Sequence, residues 1–232
     1  ATVVGGPWGA WRAETDQPAG ANRNYATIER WADLHDAGGG LQLVSVDVPG
    51  VQFGSIGTDA TVAGWREAID REPVLYSYVM NNYWETNYRA AQDGPHQLRY
   101  TLRPHAGFDE VAAERFALEV AHPLVVRSVG ANAEPLAPPL RWAAERSIVT
   151  LLRSLPRGEY LLRAYNPSDE PEEVRVLGGA TGEPVRSAVR SDPWGQPITP
   201  QPDPTADPGT NPDPAGGLVL GPREVATFRV TP

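Results

Sequence analysis

Rings and carboxamides interleave along Tyr76 to Arg89, which reads YSYVMNNYWETNYR. A flat ring covers the apolar face of a sugar, and a carboxamide both donates to and accepts from hydroxyls. Asn81, Asn82, Trp84, Asn87 and Tyr88 are therefore the candidate residues for a sugar cleft or for an interface beside one. The stretch reads equally as an ordinary structural element. Val74, Tyr76, Tyr78 and Met80 alternate with Leu75, Ser77 and Val79, which predicts a strand with Tyr76 and Tyr78 buried. Asn81-Asn82 then breaks it, because short amides bond to their own backbone.

Other chemistry is sparse. A self-contained glycosidase needs two carboxyl groups facing one cleft, about 5 Å apart when retaining. Asp47, Glu85, Asp93 and Asp109 are the candidates, and no spacing pairs any two of them. His35, His96, His105 and His122 form no HExxH or short His-x-His grouping, so no zinc site and no other cofactor is expected within this chain. Asp203, Asp207 and Asp213 lack the ligand spacing and turn glycine of a calcium loop and read as solubilising. Neither a glycine-rich phosphate loop nor a GxSxG elbow is present. Trp8 and Trp11 read as pins that hold a loop on a core.

The elements that must carry these residues are mostly short strands. Among 232 residues, Gly 23 and Pro 24 make about a fifth of the chain, a load that favours many turns. Asn24 is read as capping a helical turn through Ile28, Trp31 and Ala32, ended by Gly38-Gly39-Gly40. Leu41 to Val48 is a strand with a phase change, explained by a bulge or by burial on both faces. Gln97 to Arg103 alternates cleanly, with Leu98, Tyr100 and Leu102 expected inward. The one convincing helix runs from Asp109, a plausible N-cap, to Glu119. Leu124 to Val129 reads as a further strand. Ile148–Leu155 and Tyr160–Tyr165 form a hairpin about Pro156-Arg157-Gly158, and Val174–Leu177 and Val225–Val230 add strands. Three prolines between Ala131 and Pro139 place a domain boundary near residue 135. Eight prolines between Pro193 and Gly217 predict an extended loop.

Charge narrows the partners. All 20 basic residues are arginine, the net charge is −9 and the pI is near 4.9, which argues against a nucleic-acid partner. No apolar run approaches the roughly 20 residues of a membrane helix, so no membrane partner is expected. With Cys 0, disulfides and thiolate metal sites are excluded.

Five segments, in order, resemble the C-terminal β-rich region of family 38 glycoside hydrolases, the α-mannosidases, most closely the bacterial branch. The Asn-Asn-aromatic-Trp-x-Thr-Asn stretch is one, together with Gln92 to Gly94 and the strand ending Arg103-Pro104-His105. Tyr25 to Asp33 ends in Arg-Trp-x-Asp, and Ser45 to Gly54 carries Asp-x-Pro-x-x-Gln-x-Gly. Tyr160 to Glu170 contains Arg-x-x-Asn-Pro-Ser, and Gly221 to Val230 matches a closing strand. The resemblance implies a mainly β fold: residues 1–135 as the later part of a large galactose-mutarotase-like antiparallel β-sandwich, and 136–232 as a small terminal sandwich. It also implies that zinc, the nucleophile and the acid/base lie in an upstream catalytic α/β domain of the same protein. This chain would then be inactive alone and would support that domain, with a wall of the cleft for a mannose-containing glycan. The alternatives are a free-standing carbohydrate-binding module or an independent enzyme.

Overall fold

The computed structural model describes residues 1–56, 66, 68–70, 72–80, 91–130, 132, 134, 136–198 and 217–232. Asn81, Asn82, Trp84, Asn87 and Tyr88 all lie outside the described residues, as does most of the proline-rich loop. The chain divides into two compact units, Ala1–Leu124 and Val125–Pro232. The fold is mainly β with antiparallel sheets, and among the described residues there is one α-helix.

In the first unit the strands are β1 (Thr2–Gly6), β2 (Gly9–Arg12), β3 (Ala26–Thr27) and β4 (Trp31–Asp36). They are followed by β5 (Gly39–Ser45), β6 (Gly50–Phe53), β7 (Leu75–Ser77), β8 (Tyr100–His105) and helix α1 (Glu110–Ala121). A large sheet has the order β2-β1-β4-β5-β8, and a small one β3-β6-β7. Strand alternation gives the large sheet two different faces. One carries Val4, Ala32 and Leu34, which pack with Ile28, Val51 and Phe53 against the small sheet. The other carries Val3, Trp31 and Val44, which pack against Ala113 and Ala117 of α1. Asp109 caps that helix as expected, its carboxylate accepting from the Ala112 amide at 2.9 Å.

Four expectations are corrected. Trp31 and Ala32 lie on strand β4, because the Gly38–Gly40 run makes the tight β4–β5 connection instead of ending a helix. On β8, Thr101, Arg103 and His105 are the more buried set, while Leu102 is 58% exposed and Tyr100 38%. The helix covers the polar row, while the small sheet meets the outer row at Tyr100, through the Ser77 hydroxyl, and its apolar cluster includes no β8 residue. Tyr78 is 43% exposed and stacks on Tyr25, with ring centroids 5.9 Å apart, rather than entering the core. Leu124–Val129 forms no strand among the described residues and is highly exposed; it has the sequence of a strand without a partner. The phase change between Leu43 and Val44 comes from contacts on both faces and not from a bulge: the β4–β5 register is continuous, Val44 packs toward α1, and Leu41 and Leu43 take the other face. β5 then ends at Ser45, whose hydroxyl donates to Val48 O.

The second unit is a β-sandwich. Its strands are β9 (Leu140–Ala143), β10 (Ile148–Ser154), β11 (Tyr160–Tyr165), β12 (Glu172–Gly178), β13 (Ser187–Ser191), β14 (Gly217–Leu220) and β15 (Val225–Thr231). The sheets β10-β11-β15-β13 and β14-β12-β9 enclose Leu162, Val174, Val176, Leu220 and Phe228. The expected hairpin is present, with Arg157 at φ 65° in its turn.

One carboxylate ties this sandwich together. Glu172 at the start of β12 accepts from the amides of Glu145, Arg146 and Ser147 and from the Ser147 hydroxyl, fixing the β9–β10 loop. Burial alone would push its carboxyl up, but the Ser147 hydroxyl and the three amides hold it below the usual range of about 4.5. A lowered folded-state pKa adds stability that is present above the unfolded value and lost as pH falls through the folded one. Glu172→Gln is therefore expected to lower the melting temperature at neutral pH and to flatten its fall below about pH 4.5. An unchanged acid limb in thermal melts would contradict the assignment.

Candidate functional site

The densest constellation of reactive side chains lies where β4, β5 and β8 run side by side beneath α1. Asp33 and His35, two apart on β4, point to the same face. The register then sets two successive rungs: Asp33 opposite Gln42 opposite Arg103, and His35 opposite Gly40 opposite His105. Gly40 has no side chain, so the two imidazoles converge across it. A Cβ there would lie 2.5 Å from His35 Cβ, 2.6 Å from Leu34 O and 2.7 Å from His105 Cε1.

Into that gap comes the Asp33 carboxylate, fully buried. Its Oδ1 lies 2.8 Å from His35 Nδ1 and its Oδ2 2.8 Å from His105 Nε2. With Asp33 accepting both, the geometry assigns the ring protons to His35 Nδ1 and His105 Nε2. Phe108, in the turn before α1, stacks on His35 at 4.6 Å and 4°. The neighbouring rung is also polar. Gln42 Nε2 donates to Ala113 O at 2.8 Å, and the Arg103 guanidinium lies 4.9 Å over the Phe116 ring. One rung further, the Trp31 indole donates to Glu114 at 2.8 Å, with Arg30 3.6 Å from the same carboxyl.

This is a positioning cluster. Each oxygen of its carboxylate is engaged by an imidazole, and neither ring is hydrogen-bonded to a hydroxyl among the described residues. No group of three His, Asp or Glu side chains among the described residues is arranged to hold a metal ion. A cavity of about 600 Å³ opens at the end of β4, lined by Leu34, Phe53 and Ile69 and by Glu14, Asp36 and Asp70. Those carboxylates are engaged: Glu14 accepts from Ile69 N, Asp36 from Gly38 N and Asp70 from the Ser55 hydroxyl.

Two of the four acids singled out in the sequence, Asp47 and Asp109, have structural partners. Asp47 forms a two-pronged pair with the Arg99 guanidinium and also accepts from its amide, and that hydrogen bonding holds its carboxyl below the usual range. Asp109 is the helix cap. Glu85 lies outside the described residues, and Asp93 is exposed. Asn166 of the Asn-Pro-Ser segment is buried; it donates to Glu170 O and Gly221 O and accepts from Ser168. The Asp33–His35–His105 cluster escaped sequence reasoning, since its members lie 72 positions apart. The alternation of Asp33 and His35 on one strand was its only local signal.

Two variants test this interior. Gly40→Ala forces the rung apart and should cost about 1–3 kcal/mol, as overpacking of a filled core does. A melting temperature equal to wild type would show that the imidazoles do not need the gap. Glu114 behaves in the opposite sense to Glu172. Burial pushes its carboxyl up, with the Trp31 and Arg30 contacts pulling back. Ionised Glu114 therefore opposes folding at neutral pH, and this opposition fades as pH falls through the raised value. Glu114→Gln keeps an oxygen for Trp31 and should raise the melting temperature at pH 7, the difference vanishing at low pH. A lower melting temperature at pH 7 would mean that the Arg30 pairing outweighs the desolvation.

No protein-family model matches this sequence, and no curated protein matches it. Its structure is nevertheless similar to two crystal structures from Enterococcus faecalis. One is an α-mannosidase of strain V583, with TM-score 0.58 and 13% identity. The other is a protein in glycosyl hydrolase family 38, with TM-score 0.57 and 13% identity. Each match covers 98% of this chain and 24% of the other. At that identity the likeness is one of fold, and this chain spans about a quarter of the length of the proteins that share it.

Proposed function

We propose that this chain is the C-terminal, non-catalytic β-rich region of a family 38 type, retaining α-mannosidase. In this reading it stabilises an upstream catalytic α/β domain of the same polypeptide and contributes a wall to the mannoside cleft. Zinc, nucleophile and acid/base are held by that upstream domain. The observation that supports the reading most is how the family-like segments use their polar groups. Asp33, Asp47 and Asn166 each commit their side-chain polar groups to internal clamps. Groups so committed serve architecture rather than turnover. The correspondence of 98% of the chain to a quarter of an α-mannosidase structure agrees with it.

Asn82, Trp84 and Asn87 are proposed as the cleft-facing residues, on their chemistry alone. Asn82→Ala and Asn87→Ala should lower the activity of the complete enzyme while leaving the melting temperature of the isolated chain nearly unchanged. A second reading, a free-standing carbohydrate-binding module, is favoured by one feature. Tyr25 and Tyr78 form an exposed stacked pair, 48% and 43% accessible, of the kind on which sugar rings lie. Glycan binding by the isolated chain that is lost in Tyr78→Ala would establish it.

The decisive activity test uses an aryl α-mannoside. The purified chain should not hydrolyse it, with or without added zinc or cobalt, whereas the complete reading frame should do so in a zinc-dependent manner. Metal-dependent turnover by the isolated chain would overturn the accessory reading.

A further inference from the structure

The large sheet of the first unit is five strands wide and its facing sheet three. Strands lie about 4.8 Å apart, so among the described residues roughly 10 Å of the large sheet's apolar face has no sheet over it. The uncovered part is identifiable from the core. Val4, Ala32 and Leu34 of β1 and β4 pack against the small sheet, and no residue of β5 or β8 belongs to that cluster. Leu41, Tyr100 and Leu102 are instead 44%, 38% and 58% exposed. Leu41 and Leu43 of β5 lie opposite Pro104 and Leu102 of β8, which makes one continuous patch. The small sheet approaches it from β7, where the Ser77 hydroxyl meets the Tyr100 hydroxyl at 2.7 Å. β7 is itself an edge strand.

The partner must cover this face rather than extend the β8 edge. Val46 N donates to Arg99 O, so by the alternation of an antiparallel ladder the amides of Thr101, Arg103 and His105 also turn toward β5. The outward row is Tyr100, Leu102 and Pro104. Proline has no N–H to offer, which blunts that edge.

We infer that the Leu41–Tyr100–Leu102 face is an interface, covered by apolar strands from the remainder of the polypeptide that continue the small sheet beyond β7. This rests on the accessory reading, which supplies that remainder; the similar structures are about four times as long as the part matched here. Leu124–Val129, apolar on both faces of a would-be strand and 76–95% exposed at its four large residues, likewise pairs with no strand among the described residues.

The chain contains no cysteine, so a single introduced thiol reports accessibility cleanly. Leu102→Cys and, as a control, Trp194→Cys (78% exposed in the parent) would be labelled with a maleimide in the isolated chain and in the native full-length protein, the site being read by peptide mass. Both positions should react quickly in the isolated chain. In the full-length protein position 102 should react at least about tenfold more slowly while position 194 is unchanged, as expected for a site that opens only transiently. Equal rates at 102 in the two proteins would overturn the inference. So would slow labelling already in the isolated chain, since the chain would then cover its own face or pair with a second copy. The outcome separates from that of the functional reading. A zinc-dependent mannosidase with position 102 unprotected keeps the reading and removes the interface; protection at 102 in an inactive full-length protein does the reverse.

Discussion

Burying a carboxylate is costly unless it is hydrogen-bonded, and in the first unit that constraint falls on Asp33. Its two donors come from different strands, so both oxygens are hydrogen-bonded only when β4, β5 and β8 hold one register. A one-residue slip would turn His35 or His105 to the opposite face and leave the carboxylate unpaired. Gly40 makes the arrangement possible by leaving its rung empty. Phe108 then closes over His35, and Asp109 starts the helix one residue later. The helix in turn finds Gln42 and Trp31 ready to bond it. Polar pairing thus sets the register, and apolar packing of Ala113 and Ala117 on Trp31 and Val44 adds the bulk of the contact.

The same logic recurs in the second unit. Glu172 gathers three amides and a hydroxyl, Asn166 joins two turns, and Glu224 pairs with Arg190 while accepting from the Gly221 amide. These side chains fall in or beside the segments that resemble an α-mannosidase region. A buried polar group such as Asn166 has few acceptable substitutes, because each loss leaves partners unsatisfied. A resemblance carried by clamps is therefore informative about fold, and the fold is where the similarity to the two Enterococcus faecalis structures lies.

Local patterns disclosed much of this architecture. The Asp109 cap, the hairpin about Pro156–Gly158 and strands β10, β11, β12 and β15 follow from turn residues and alternation, whereas β9, β13 and β14 carried no such signal. Non-local pairing remained hidden. Asp33 and His105 meet only because of strand order, which periodicity cannot supply. Trp31 and Ala32 fit helical spacing over one turn, and only the β4–β5 pairing decides for a strand. On β8 the alternation was correctly seen but its direction was inverted. Arg103 and His105 are sheltered by Phe116, Phe108 and Asp33, while Leu102 faces outward. That inversion is what first marks the open face of the large sheet. The ring-and-amide stretch at Asn81–Tyr88 remains a reading from chemistry.

The central claim is that this chain is architectural support for chemistry performed elsewhere in the polypeptide. It is tested most directly by reconstitution: the upstream part of the reading frame expressed without this chain, then co-expressed with it, with zinc-dependent hydrolysis of an aryl α-mannoside as the readout. The account predicts little soluble activity from the upstream part alone and recovery of hydrolysis when this chain is supplied in trans. Full activity of the upstream part without this chain would contradict it.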